Sequence, residues 1–161
     1  MGNKRKNDSW EKEPYECIGN DKLFSQMYST MLLSEAFLSL SGNQKSLYLY
    51  CKFQRFGEKD KHLLSTDEKP YGDKMYFSMN RHKYQENYKL YKKGNHNGFQ
   101  RDMAELINKG FIDCVACGWY SKQRTIYAFS ERWKLYGTEN YQPPTYQQMT
   151  TFMINEIRDK Q

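Results

Sequence analysis

The stretch GNHNGFQRDMAELINKGFIDCVACGWYSKQRTIYAF, residues 94–129, constrains the fold of this chain more than any other. Phe99, Met103, Leu106 and Ile107 recur at i, i+4, i+7 and i+8, which puts them on one apolar face of a helix with 3.6 residues per turn. Asn97 stands where an N-cap is expected, with Gln100 three residues on to answer it as in a capping box. Gly110, after Lys109, is the C′ glycine that stops the helix. The opposite face carries Arg101, Ala104 and Asn108, flanked by Gln100 and Glu105, and these side chains are expected to look outward. Residues 111–117 and 124–129 are rich in aromatic and β-branched side chains. The six residues from Gly118 to Gln123 are turn material with a basic tip, so a hairpin follows the helix. The predicted core includes Phe99, Met103, Leu106, Ile107 and Phe111.

The flanking sequence supplies the rest of an architecture. Ser34-Glu35-Ala36-Phe37 reads as a helical turn that buries Phe37 and Leu40. Ser41-x-x-Gln44 is a capping box that opens a helix over about 42–55, with Leu47, Tyr48 and Cys51 on its inner side. Residues 54–74 are charged and punctuated by Gly57, Pro70 and Gly72, an exposed insertion. Met75–Ser78 is a short strand candidate, and Asn80 is placed to cap a helix carrying Tyr84, Tyr88 and Tyr91 at i, i+4 and i+7. Lys92-Lys93-Gly94-Asn95 breaks that helix before the next one. Two helices joined by a short glycine-containing turn make a helix-turn-helix, and the hairpin behind them makes the fold class α+β: a winged helix-turn-helix with a polar N-terminal arm and a C-terminal helix.

The expected divisions are an arm over 1–21, the winged-helix domain over 22–137, and a linker with a C-terminal helix over 138–161. Trp133 is expected to pack on the core. Pro143-Pro144 ends the domain, and Thr145-x-x-Gln148 opens a last helix with Met149, Phe152, Met153 and Ile157 on one face. Either its own domain or a second copy of the chain covers that face.

The chain has 161 residues, a length suited to one modest core, and aromatic residues are 16% of it, so that core is built from large amphipathic rings. The net charge of +6 is not spread evenly. Residues 76–125 hold nine Lys/Arg against four Asp/Glu, and the rest of the chain is nearly neutral. A positive field concentrated on the helix-turn-helix and hairpin is the footprint of a nucleic-acid binder. No run approaches the ~18 apolar residues of a membrane span, and the start MGNKRKNDSWEKE lacks an apolar signal core, so the expected location is cytoplasmic.

Cys17, Cys51, Cys114 and Cys117 suit a reduced chain better than a disulfide scaffold. Cys114-Val115-Ala116-Cys117 is half of a zinc motif with no second half, and no metal or other cofactor is expected. His62, His82 and His96 stand alone without an H-x-H pair. A tyrosine-based nicking activity therefore lacks its metal ligands, and no nucleophile, base or paired-carboxylate arrangement marks an enzyme.

The residues Ser34-Glu35-Ala36-Phe37 through Leu40-Ser41, Leu47-Tyr48-Leu49-Tyr50, Glu105-Leu106-x-x-Lys109-Gly110-Phe111-Ile112-Asp113 and Thr125-x-Tyr127-x-x-Ser130-x-x-Trp133 occur in one order over residues 30–136. In that order the chain resembles the winged-helix proteins of plasmids, phages and integrative conjugative elements, including the DNA-binding domains of replication initiators. The resemblance implies DNA binding in replication, conjugative transfer or transcription regulation of a mobile genetic element, in an accessory or regulatory part and without chemistry.

On this reading double-stranded DNA is the partner, with the helix in the major groove and the wing on the backbone or minor groove. Gln100, Arg101 and Asn108 are candidates for base edges, with Asn97 and Ala104 completing the approaching face. Lys92, Lys93, Lys122 and Arg124 would meet phosphates, and Trp119 and Tyr120 lie in the wing tip. A competing reading makes the winged helix a scaffold for protein interaction, with replication or transfer proteins, or a second copy, meeting the C-terminal helix or the wing aromatics.

Overall fold

Ser41 and Gln44 close the capping box expected of them: the Ser41 hydroxyl accepts from the Gln44 amide at 3.3 Å, and the Gln44 side chain accepts from the Ser41 amide at 2.9 Å. From that cap runs α3, Gly42–Lys52, after two single-turn helices, α1 (Ser29–Leu32) and α2 (Glu35–Leu38). The computed structural model describes residues 27–54, 66, 69–71, 75–118 and 123–160. The expected arm over 1–21, nearly all of the 54–74 insertion, and the wing-tip residues Trp119, Tyr120 and Lys122 lie outside the described residues.

After α3 come β1 (Tyr76–Ser78), a π-helical turn (His82–Asn87), α4 (His96–Asn108), β2 (Ile112–Ala116) and β3 (Ile126–Phe129). The strands form one antiparallel sheet in the order β1-β3-β2, with Phe77 opposite Tyr127 and Cys114 also opposite Tyr127. The chain is thus a mixed α+β fold with several helices and a small open sheet. α3 packs on α4, and the buried face of α4 supplies Phe99, Met103, Leu106 and Ile107, each at most 3% exposed, as the periodicity requires.

Much of the core is aromatic. The Tyr84 ring stacks on Phe99 with centroids 3.9 Å apart, and Tyr91 meets both edge-on. Phe111 lies parallel to Trp133 at 6.1 Å, which brings Trp133 onto the core. Such ring pairs contribute about 0.5–1.5 kcal/mol each beyond the area they bury.

Three local features differ from the sequence reading. The helix expected after Asn80 is widened: Asn80 does accept from the Lys83 amide at 3.0 Å, but Tyr88 N bonds to Lys83 O, five residues back, and Lys89 ends the turn with φ of 51°. The wider turn places Tyr84 inside while Tyr88 stacks on Tyr50 at 4.3 Å. The N-cap of α4 is Asn95, not Asn97, because Gly94, with φ of 92°, turns the chain and leaves Asn95 Oδ1 3.0 Å from the Gly98 amide. A Cβ on Gly98 would lie 2.7 Å from the end of that Asn95 side chain, so a larger residue there would shift the capping amide.

The third difference concerns the C-terminal helix. Thr145 and Gln148 form a capping box, but it heads a single 3₁₀ turn, Tyr146–Gln148. Met149 is extended, and α5 (Thr151–Arg158) starts under a second cap, Thr150. α5 docks on its own chain: Met153 is buried, Met149 and Phe152 pack against the core, and Ile157 stays exposed.

At the other end of α4, Gly110 has φ of 79°, and its amide and that of Phe111 bond to the Ile107 and Leu106 carbonyls, each at 3.0 Å. This is a Schellman closure. Arg132 braces it, bonding to Ile107 O at 2.9 Å and to the Asp113 carboxylate at 2.5 Å.

Candidate nucleic-acid interface

α4 turns one face to the core, and the residues left on its outer side decide what the helix can touch. Asn97, Arg101 and Asn108 are exposed, and Glu105 is half-buried between them. Ala104, expected to look outward with them, is only 6% exposed. α5 contacts α4, and its Glu156 lines the same groove as Ala104.

Gln100, also expected at the front, is half-buried and bonds to His96 Nε2 at 3.0 Å. The other nitrogen of His96 meets the Tyr84 hydroxyl at 2.7 Å. Burial first, and the Arg81 charge second, hold the His96 pKa below its ordinary value. The ring is therefore neutral near pH 7, with both nitrogens engaged, and supplies no charge to a phosphate.

Arg101, Asn108 and Lys92 line an open groove of about 960 Å³ that runs over the outer side of α4. Asn43 and Gln44 of α3 form one border, and Glu156 of α5 belongs to the other. Asn97 and Gln100 line a second, smaller cleft of about 170 Å³, with Thr125 and Tyr127 of the hairpin and Thr151, Phe152 and Asn155 from α5. α5 thus divides the expected site: Arg101 and Asn108 lie on one side and Asn97 and Gln100 on the other.

The positive charge of residues 76–125 is distributed by the fold in a way the sequence did not show. Lys109 is held away from this face, its ammonium 3.1 Å from the Tyr136 hydroxyl and over that ring. Lys83 bonds to Ser78 O at 3.2 Å. Lys92 and Lys93 are exposed in the turn before α4, and Arg124 is exposed at the foot of the hairpin. Of the acids, Glu86 lies 2.7 Å from His82, and Asp113 is paired with Arg132. The groove is consequently mixed in sign, with Lys92 and Arg101 beside Asp102, Glu105 and Glu156.

Asp102 is the residue the sequence reading missed. Its carboxylate accepts from Asn43 Nδ2 at 2.8 Å, Gln44 Nε2 at 3.0 Å and the Tyr91 hydroxyl at 2.6 Å. These bonds fix α4 against the start of α3 and the turn before it, so Asp102 positions the helix and has little capacity left for a ligand. The same contact, after burial, pushes the Tyr91 pKa upward, which keeps its hydroxyl a donor. Tyr91→Phe removes one bond to a charged acceptor and is expected to lower stability by about 1–2 kcal/mol in urea melts. No signal in the sequence joins positions 43, 44, 91 and 102.

Among the described residues no three His, Cys, Asp or Glu side chains gather as a metal site, and no helix is long and apolar enough to cross a membrane. No protein-family model matches the chain, and neither a curated protein nor a solved structure shows significant similarity to it.

Proposed function

We propose that this chain is a winged helix-turn-helix protein that binds double-stranded DNA through the outer side of α4, with the β2–β3 hairpin as its wing. The observation that carries the reading is the order helix, strand, helical turn, helix, hairpin, with the sheet ordered β1-β3-β2 and a polar α4 face beside two exposed lysines. His96, Asn97 and Gln100 of α4 share a cleft with Thr125 and Tyr127 of the hairpin, which supports a reading in which helix and wing meet one duplex. Arg101 and Asn108 read base edges, Asn97 and Gln100 act from the α5 side, and Lys92, Lys93, Lys122 and Arg124 neutralise phosphates. The assignment to replication, transfer or regulation of a mobile genetic element rests on the sequence resemblance alone.

Titration of the full chain against labelled random duplex at several salt concentrations tests this reading. Four phosphate contacts give a slope of log K against log salt of roughly −3 to −4. Glu156 lies in the groove with Arg101, so Glu156→Gln removes a repulsion and is expected to tighten DNA binding about two- to threefold.

One observation favours a second reading, a protein-interaction module: the mixed charge of the groove suits a polar protein surface better than a polyanion. Absence of salt-dependent DNA binding, together with a DNA-independent complex with a replication or transfer protein, would select it.

A further inference from the structure

Cys114 and Cys117 are separated by three positions, and on a regular strand such residues point to opposite faces. Here the register slips. Cys114 is opposite Tyr127 and Ala116 is opposite Ile126, so Val115 is an extra residue in β2. This bulge resets the alternation and brings the two thiols to one side. Cys114 is 2% exposed, and its neighbour Cys117, ahead of burial, pushes its pKa up. Cys117 is exposed. Its sulfur also lies 2.9 Å from the hydroxyl of Thr151, the first residue of α5. Cys51, by contrast, is fully buried in the core.

We propose that Cys114 and Cys117 form a reversible oxidation site, a dithiol that a peroxide converts to an intrachain disulfide, and that the conversion loosens α5 by withdrawing the Cys117 sulfur from Thr151. The exposed Cys117 sulfur attacks one peroxide oxygen; an S–O bond forms, the O–O bond breaks, and the departing hydroxide leaves as water with the thiol proton. Cys114 then attacks the Cys117 sulfur; the S–S bond forms, the S–O bond breaks, and the hydroxyl leaves as a second water with the Cys114 proton. The thiol pair loses two electrons and the peroxide gains them. An accessible thiol beside a buried resolving thiol is the arrangement that favours this outcome over further oxidation. Because Glu156 of α5 lines the groove over α4, the oxidation state reaches the α4 face, but the site itself does not depend on DNA binding.

The test is hydrogen peroxide on the reduced full chain, followed by alkylation, trypsin and mass spectrometry of the peptide 110–122. The expected product lacks two hydrogens, takes no alkylating agent, and returns to the dithiol with dithiothreitol. In Cys114→Ala the reaction stops at a Cys117 sulfenic acid that dimedone traps. Hydrogen exchange over 151–158 is expected to accelerate in the oxidised wild type and not in peroxide-treated Cys117→Ser, whose hydroxyl keeps a partner for Thr151. Conversion of Cys117 to sulfinate with Cys114 still alkylated, or disulfide-linked dimers through Cys117, would overturn the oxidation site. A disulfide with unchanged exchange in α5 would overturn the coupling.

Discussion

Leu106→Ala is expected to lower the unfolding free energy by about 2–5 kcal/mol. Leu106 is fully buried, on the face of α4 shared with Met103 and Ile107, all at 0% exposure. Truncation there removes the transfer free energy of the lost methyl and methylene groups and leaves a cavity between elements that cannot all close on it. Single domains have total stabilities of only about 5–15 kcal/mol, so the effect is a large fraction of what holds the fold together. Urea denaturation of the two proteins should show a lower midpoint with an unchanged m value. Coincident curves would mean that Leu106 does not face a packed core, and the placement of α4 would go with it.

Gly110→Ala should cost about 2–4 kcal/mol, from two separable causes. The backbone at Gly110 has φ of 79°, which penalises any L side chain by about 1–2 kcal/mol. A Cβ there would also stand 2.6 Å from the Trp133 amide nitrogen and 2.8 Å from the Arg132 carbonyl carbon, backbone atoms that cannot rotate away. Gly94 provides the comparison, since its φ is 92° and nothing lies within 4 Å of a Cβ placed on it. Gly94→Ala should therefore show the conformational penalty alone, and Gly110→Ala a clearly larger loss of melting temperature. Equal losses would remove the close approach of residues 132–133 to the end of α4.

The elements written in local chemistry were legible. The buried side of α4 follows from apolar spacing, the end of α4 from one glycine, and the start of α3 from a serine and a glutamine three residues apart. What could not be read depended on partners distant in sequence. Ala104 shares the outer arc of α4 with Arg101 and Asn108, and nothing local says that the fold buries it. Asp102 looks like a surface acid until Asn43, Gln44 and Tyr91 converge on it.

Competing local signals account for the rest. Asn97 is the cap expected from the sequence, and the left-handed Gly94 puts Asn95 there instead. Thr145 and Thr150 both cap, and the extended Met149 separates a 3₁₀ turn from α5. The charge excess in residues 76–125 is a true property of the sequence, yet folding sends Lys109 to Tyr136 and brings Glu156 into the groove, so proximity along the chain overstated the local field.

Whether α4 reads DNA is tested most directly by comparing Arg101→Ala and Lys93→Ala on a duplex selected by the wild-type chain and on random duplex. Arg101 lines the groove over α4, while Lys93 is exposed in the preceding turn. Arg101→Ala is expected to lose about 1–3 kcal/mol on the selected duplex, far less on random duplex, and to relax specificity at one base position. Lys93→Ala is expected to weaken both duplexes alike and to flatten the salt slope by about one unit. Equal losses on both duplexes for Arg101→Ala, or no loss for either variant, would contradict base reading by α4.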